Sequence, residues 1–177
     1  MGALYGCSEL LLALTKRAKN HANARDRGSL WVLWVVIILS MNLAALVSSF
    51  VPQAALPASL YGYGFALFVL GLGLRWYAIV HLGKFFTVNV AISDDHRVVS
   101  SGPYRLIRHP AYSGALLAFY GLGLCFQNSL SLLIAVVPIT AAFLHRIKVE
   151  EAALNSSLGA NYRDYASRTK RIIPFIY

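Results

Sequence analysis

Residues 30–50 read LWVLWVVIILSMNLAALVSSF, twenty-one positions in a row without a charged side chain. About 20 predominantly apolar residues in a helix cross a bilayer core, so this run alone assigns a membrane-spanning helix. It sits inside a longer window. No Asp, Glu, Lys or Arg occurs between Arg27 and Arg75, and none between Arg108 and Arg146. Each window holds two spans and a tight connection. The first divides into residues 30–50, a connection over 51–57 that contains Pro52 and Pro57, and residues 58–80. The second divides into residues 110–126, the turn Gln127-Asn128-Ser129, and residues 130–145. Both connections carry breakers or small polar residues, as a helical hairpin requires. Backbone polar groups in hydrocarbon must be satisfied internally, so the spans are helices. The expected fold is therefore an all-α integral membrane protein of four transmembrane helices in two hairpins. One structural domain is expected, with residues 1–80 forming an N-terminal membrane region and 81–177 carrying the chemistry.

Composition agrees. Of 177 residues, 58% are hydrophobic and 13% charged, against roughly 25% charged in a soluble domain. A soluble fold and a disordered chain are both excluded. The net charge of +9 would suggest nucleic acid in a soluble protein, but here the charges flank the spans, so the expected partner is the lipid bilayer and not nucleic acid. Lys16, Arg17, Lys19, Arg25 and Arg27 precede the first hairpin, and Lys84, Arg97, Arg105 and Arg108 lie between the hairpins. Arg146, Lys148, Arg163, Arg168, Lys170 and Arg171 follow the second, and the two hairpin turns hold no basic residue. The positive-inside bias then puts termini and central loop in the cytoplasm. Arg75 is the exception. It either snorkels from near the end of its span towards the headgroups or lines an internal cavity. Residues 3–14, apolar except for Ser8 and Glu9, form a short fifth membrane helix or an interfacial one. The basic cluster follows them, the reverse of a secretory signal, so no cleavage is expected.

Two isolated cysteines, Cys7 and Cys125, and five histidines without ligand spacing indicate neither a disulfide framework nor a metal. The pairs Gly62/Gly64, Gly71/Gly73 and Gly121/Gly123 fall inside spans. A dinucleotide loop needs a preceding strand, whereas small residues in membrane helices permit close packing. A Rossmann domain is not expected.

Polar chemistry gathers on the cytoplasmic side. The central loop runs DDHRVVSSGPYRLIRHPAYSG over residues 94–114. Val98-Val99 is an apolar pair in a polar loop, Gly102-Pro103 is a turn signal, and Pro110 suits the first turn of a helix. His109 then lies at a helix start, beside backbone donors that favour an anionic group. Arg105 and Arg108 could simply anchor to headgroups. After the last span comes HRIKVEEAAL over residues 145–154, in which Arg146 and Glu150 share a helix face and can interact. Two adjacent carboxylates this close to a bilayer are costly unless partnered or functional. The tail, GANYRDY over 159–165 and RTKRIIP over 168–174, alternates aromatic, basic and apolar residues. That pattern suits a segment folded back on the headgroup surface.

From Gly83 onward, these motifs in this order resemble the isoprenylcysteine carboxyl methyltransferase family and its phospholipid-methyltransferase relatives. The matching runs are HRVVSSGPYRLIRHPAYSG, RIKVEEAAL with a glycine nine residues after its first Glu, GANYRDY and RIIP. The resemblance implies S-adenosylmethionine bound at the cytoplasmic face without a Rossmann fold. It implies a cofactor shell of His96, Arg97, Val98 and Val99, with Asn89 where family members often have Gln. Tyr104, His109, Pro110, Ala111, Tyr112 and Glu150 would complete that shell. Arg146 matches a family arginine linked to the methyl acceptor, so Arg146 and Glu150 are the expected catalytic pair.

Those roles make physical sense. Displacement at a sulfonium methyl needs no metal. The enzyme mainly aligns donor and acceptor, an effect that can supply roughly 7–11 kcal/mol. Val98, Val99, Tyr104 and Tyr112 suit an adenine, and Glu150 can accept from ribose hydroxyls or the amino group. His109 or the helix start can hold the cofactor carboxylate, while Arg146 orients an anionic acceptor that enters sideways between the spans. The acceptor is a prenylcysteine carboxylate, a phospholipid amine or a small thiol. Two alternatives stay open: an NADPH-dependent membrane reductase of the sterol-reductase type, whose C-terminal run is similar but which has many more spans, and a non-catalytic membrane scaffold.

Overall fold

The structure is a computed structural model, described for residues 1–15, 28–86 and 98–177. Its regular elements are all helical among the described residues: α1 (Gly2–Thr15), α2 (Ser29–Phe50), α3 (Leu60–Leu82), α4 (Pro110–Cys125) and α5 (Ser129–Arg168). α2, α3 and α5 are long and apolar enough to cross a membrane. α4, with 16 residues, rises about 24 Å, less than the roughly 30 Å core. Two hairpins are present as the charge-free windows require, though only three of the four expected spans reach full length.

The hairpin ends follow from local chemistry. Asn128 caps α5 by accepting from the Ser131 backbone N–H at 3.0 Å, a normal role for Asn at a helix start. Its Nδ2 donates to the Val51 carbonyl at 2.8 Å, and Leu56 N–H donates to the Gln127 carbonyl at 2.7 Å. The two hairpin turns therefore bond to each other and close one end of the bundle. At the opposite end Gly102, with φ of 56°, opens a 3-10 turn through Arg105. The positive φ favours glycine there, and the His81 ring, 2.5 Å from where a Cβ would stand, packs over the bare Cα.

Small residues set the hairpin packing. A Cβ on Gly71 would stand 2.4 Å from the Ala118 backbone nitrogen, and one on Gly121 2.5 Å from the Gly64 carbonyl. α3 and α4 thus meet backbone to backbone through Gly64, Gly71, Gly114 and Gly121, as expected of small residues in membrane helices. Gly62 and Gly73 face open space. On the other seam, Ser131 Oγ donates to the Ala44 carbonyl at 2.7 Å and fastens α5 to α2.

α1 lies against the bundle by one face, through Tyr5, Glu9 and Leu12, and leaves Leu4, Leu10, Leu11 and Leu14 exposed. Tyr5 packs on Phe119 with ring centroids 4.6 Å apart, Glu9 pairs with Arg75, and Leu12 is buried beside Ala78, Ile79 and Tyr104. Met1 Sδ lies 3.9 Å from Cys125 Sγ. α1 therefore runs antiparallel to α4 along its length. This corrects the placement of both termini on one side: Met1 sits at the end of α4 near the hairpin turns, and the C-terminus at the other end of the bundle.

α5 continues well beyond its apolar stretch. Its course breaks at Gly159, with φ of 56° and ψ of −124°, and the last turns carry Tyr162 and Tyr165 inward to buried positions. The tail folds back as expected, but onto protein. Arg108 N–H donates to the Lys170 carbonyl at 2.7 Å, His109 N–H to Arg171 at 2.9 Å, and Ser113 Oγ to Ile172 at 2.7 Å.

Candidate active site

Tyr112, Arg146 and Glu150 come together. Tyr112 stands one turn into α4, and the other two share a face of α5. The Tyr112 hydroxyl donates to Glu150 Oε2 at 2.6 Å and accepts from Arg146 Nε at 3.1 Å. A phenol thus links the two residues that the sequence places four apart. Arg146 is almost fully buried and donates from Nη1 to Ser29 Oγ at 2.9 Å, which ties the start of α2 to the same point. The ring of Tyr112 is fixed between His109, at 5.7 Å, and Phe143, at 5.5 Å.

Glu151, the neighbour of Glu150, turns the other way and is buried. Its Oε1 accepts from Arg108 Nε at 2.9 Å and lies 3.3 Å from His109 Nε2, and its Oε2 accepts from Arg171 Nε at 2.9 Å. Arg108 also donates to the carbonyls of Ala166, at 2.9 Å, and Thr169. Burial pushes the Glu151 carboxyl upward, but the hydrogen bonds and charges of His109, Arg108 and Arg171 outweigh it and hold it at about 2. The carboxylate joins the entry of α4, the extension of α5 beyond its apolar stretch, and the tail. Arg108 is therefore an interior clamp and not a headgroup anchor, whereas Arg105 is exposed. The His109 ring faces Glu151.

Tyr104 closes the adjoining wall. It is buried with Ala111, its hydroxyl donates to the Ala78 carbonyl at 3.3 Å, and its own carbonyl accepts from Tyr165 at 2.7 Å. Val99 packs against this cluster, and Val98 is half-buried. Pro110 opens α4 and is fully buried, and the Ala111 carbonyl accepts from Arg75 Nη1 at 3.2 Å. Asn89, His96 and Arg97 lie outside the described residues.

Arg75 does not snorkel. It is 7% exposed and donates from Nε and Nη2 to the two carboxylate oxygens of Glu9, at 2.7 and 2.8 Å. The fork matches the carboxylate on both arms. This pair and Arg146 edge a cavity whose remaining lining includes Leu33, Trp34, Ile37, Phe143 and Tyr112. Apolar side chains predominate in its lining, and Arg146 is the lining cation not neutralised by the Glu9–Arg75 pair. No metal-binding group of His, Cys, Asp and Glu occurs among the described residues.

Sequence reasoning missed the clamp of Glu151, Arg108 and Arg171, the Glu9–Arg75 pair and the Ser29 contact. The second glutamate of Glu150-Glu151 and the arginine opening RIIP were the available signals for the clamp. A lone carboxylate in the apolar run 3–14 was the local signal for Glu9, and nothing local marks Ser29.

Comparison with known proteins bears on this arrangement. The family model for the isoprenylcysteine carboxyl methyltransferase (ICMT) family matches residues 64–156. "Protein-S-isoprenylcysteine O-methyltransferase B" of Arabidopsis thaliana is 33% identical over 116 residues, 64% of this chain and 59% of that protein. The Saccharomyces cerevisiae protein-S-isoprenylcysteine O-methyltransferase is 35% identical over 115 residues, 64% of this chain and 48% of its own length. The solved structure of the eukaryotic intramembrane Ras methyltransferase ICMT superposes with a TM-score of 0.75 at 27% identity, covering 98% of this chain and 63% of that one. The matched region thus spans about half to three fifths of these relatives.

Proposed function

The chain belongs to the isoprenylcysteine carboxyl methyltransferase family, and on that premise we propose that it is an integral membrane methyltransferase. It uses S-adenosylmethionine to methylate the carboxylate of a lipophilic, isoprenylcysteine-like acceptor at the cytoplasmic face. Both hairpins cross the bilayer, α4 as a short span, with α1 beside it as a fifth. Residues 1–80 supply the membrane frame and 81–177 the catalytic region. The reductase alternative has no support from the relatives above, which are methyltransferases.

The observation that carries this reading is the Tyr112 hydroxyl set between Arg146 and Glu150. It joins the RHPAY motif to the RIKVEE motif at one point, next to the cavity. The residues there fit a nucleoside cofactor by their chemistry. Val99, Tyr104 and Ala111 make an apolar wall, and Glu150 supplies a half-buried acceptor for ribose hydroxyls or an ammonium group. His96, Arg97, Val98 and Asn89 would complete the enclosure from the loop, and Pro110 with His109 fixes where the wall meets α4.

When bound, S-adenosylmethionine supplies an electrophilic methyl on a sulfonium sulfur. The chain's own residues do the rest by positioning. Arg146 draws the acceptor carboxylate to the cytoplasmic end of the cavity, while the lipid tail lies along Leu33, Trp34, Ile37 and Phe143. Because Arg146 already engages Tyr112 and Ser29, its pull on the acceptor is shared and the carboxylate oxygen keeps its nucleophilicity. The apolar walls exclude water.

The test is label transfer. Purified protein in lipid nanodiscs, given methyl-labelled S-adenosylmethionine and N-acetyl-S-farnesylcysteine, should form a base-labile methyl ester seen by mass spectrometry. Label in phospholipid amines or small thiols would reassign the acceptor. No transfer to any of the three contradicts the reading.

A further inference from the structure

Tyr162 carries the inference. It lies three residues beyond the Gly159 break, which turns the end of α5 back over the clamp. The residue is 3% exposed, yet its buried hydroxyl has no hydrogen-bond partner among the described residues. A buried tyrosine hydroxyl ordinarily finds one, because leaving it unmet costs about 1–3 kcal/mol. Its neighbours on the rim of the site are bonded: Tyr165 to the Tyr104 carbonyl, Tyr112 to Glu150, and Tyr104 to Ala78. Tyr162 packs against Tyr165 with ring centroids 6.2 Å apart, and the charges of Glu151, Arg108 and Glu150 all reach its phenol.

Two explanations compete for such a hydroxyl. A packing role would be filled as well by phenylalanine, which brings no polar atom to be stranded. A ligand role requires polar atoms arriving from outside the protein at a site that is already charged and enclosed. The surroundings favour the second, since Glu150 is the proposed acceptor for the polar half of a nucleoside cofactor.

We propose that Tyr162 is a further cofactor-binding residue, its hydroxyl completing a hydrogen bond to the ribose or amino-acid portion of S-adenosylmethionine beside Glu150. The inference rests on the methyltransferase reading, since it names one more contact in that site. Tyr162 has no role in moving the methyl group. It holds the cofactor in both its methylated and demethylated forms, so its effect is on affinity.

Isothermal titration of S-adenosylhomocysteine into purified protein in detergent tests this, with Tyr162→Phe and Glu150→Gln measured alongside wild type. Thermal unfolding of each protein without ligand is the companion measurement. Tyr162→Phe should raise Kd about tenfold and leave ligand-free Tm unchanged or slightly higher, since no bond within the protein is lost. A Kd within twofold of wild type overturns the inference and leaves the site reading intact. A ligand-free Tm lowered by several degrees also overturns it, because the hydroxyl then has a partner in the protein. No binding by wild type overturns the site reading and this contact with it.

Discussion

Two buried carboxylates, Glu9 and Glu151, hold this molecule together in different ways. Glu9 meets Arg75 in a two-armed contact inside the bundle, and its only other neighbour among the described hydrogen-bonding side chains, Tyr5, stands one turn away on its own helix. Glu151 meets Arg108, His109 and Arg171, drawn from the entry of α4 and from the tail. The first fastens one helix to a hairpin that is already packed through glycine backbones. The second fixes the segments that make the candidate site, and is the charged centre of a set of hydrogen bonds from Arg108, His109 and Ser113 to backbone carbonyls of the tail. A buried pair between two rigid elements is replaceable by apolar packing. A hub that sets the position of a loop and a tail is not.

The largest effect expected is at the hub. Glu151→Ala removes the carboxylate shared by Arg108, His109 and Arg171 and should cost about 3 kcal/mol of stability and lower methyl transfer by more than a hundredfold, read by chemical unfolding in micelles and by the label-transfer assay. Retention of activity would erase the distinction between the two carboxylates. Glu9→Ala should destabilise by a similar ~3–5 kcal/mol, but the double variant Glu9→Leu/Arg75→Met should recover most of that loss. If the double variant is as unstable as the single one, Glu9 is a hub as well.

The hairpin against which α1 is fastened gives the next effect. Gly71→Val forces atoms into the Ala118 backbone and should cost about 1–3 kcal/mol or more, while Gly73→Ala, facing open space, should change Tm by under a degree. Tyr112→Phe removes the hydroxyl between Arg146 and Glu150, and is expected to lower kcat/KM about tenfold with a stability loss near 1 kcal/mol. Acid removes the contribution of the Glu151 hub reversibly, without a substitution. Glu151 is held at about 2 against an ordinary 4.5, so its contribution is complete above pH 4.5 and is lost as pH falls towards 2. Wild-type Tm should drop across that window, and Glu151→Gln should drop less.

The same contrast marks what sequence alone makes legible. The hairpins depend on runs of apolar residues that are contiguous in the chain, so their limits are readable within a few positions. The close packing at Gly64, Gly71 and Gly121 is readable too, because small residues inside a span have few other uses. The ion pairs are another matter. Glu9 and Arg75 are 66 positions apart, and an arginine near a span end with no visible partner reads as snorkelling. Arg108 reaches Glu151 across 43 positions, and a basic residue at the membrane edge reads as a headgroup anchor. Motif resemblance brought Tyr112, Arg146 and Glu150 onto one list, but the phenol between the other two is a tertiary fact.

The claim that the α4 entry and the α5 extension enclose one nucleoside site is tested most directly by ultraviolet crosslinking of radiolabelled S-adenosylmethionine to the purified protein, followed by peptide mapping. Crosslinked label is expected on peptides covering residues 98–112 and 146–165, displaced by excess S-adenosylhomocysteine and not by NADPH. Label confined to α1 and α2, or label that NADPH displaces while S-adenosylhomocysteine does not, would contradict it.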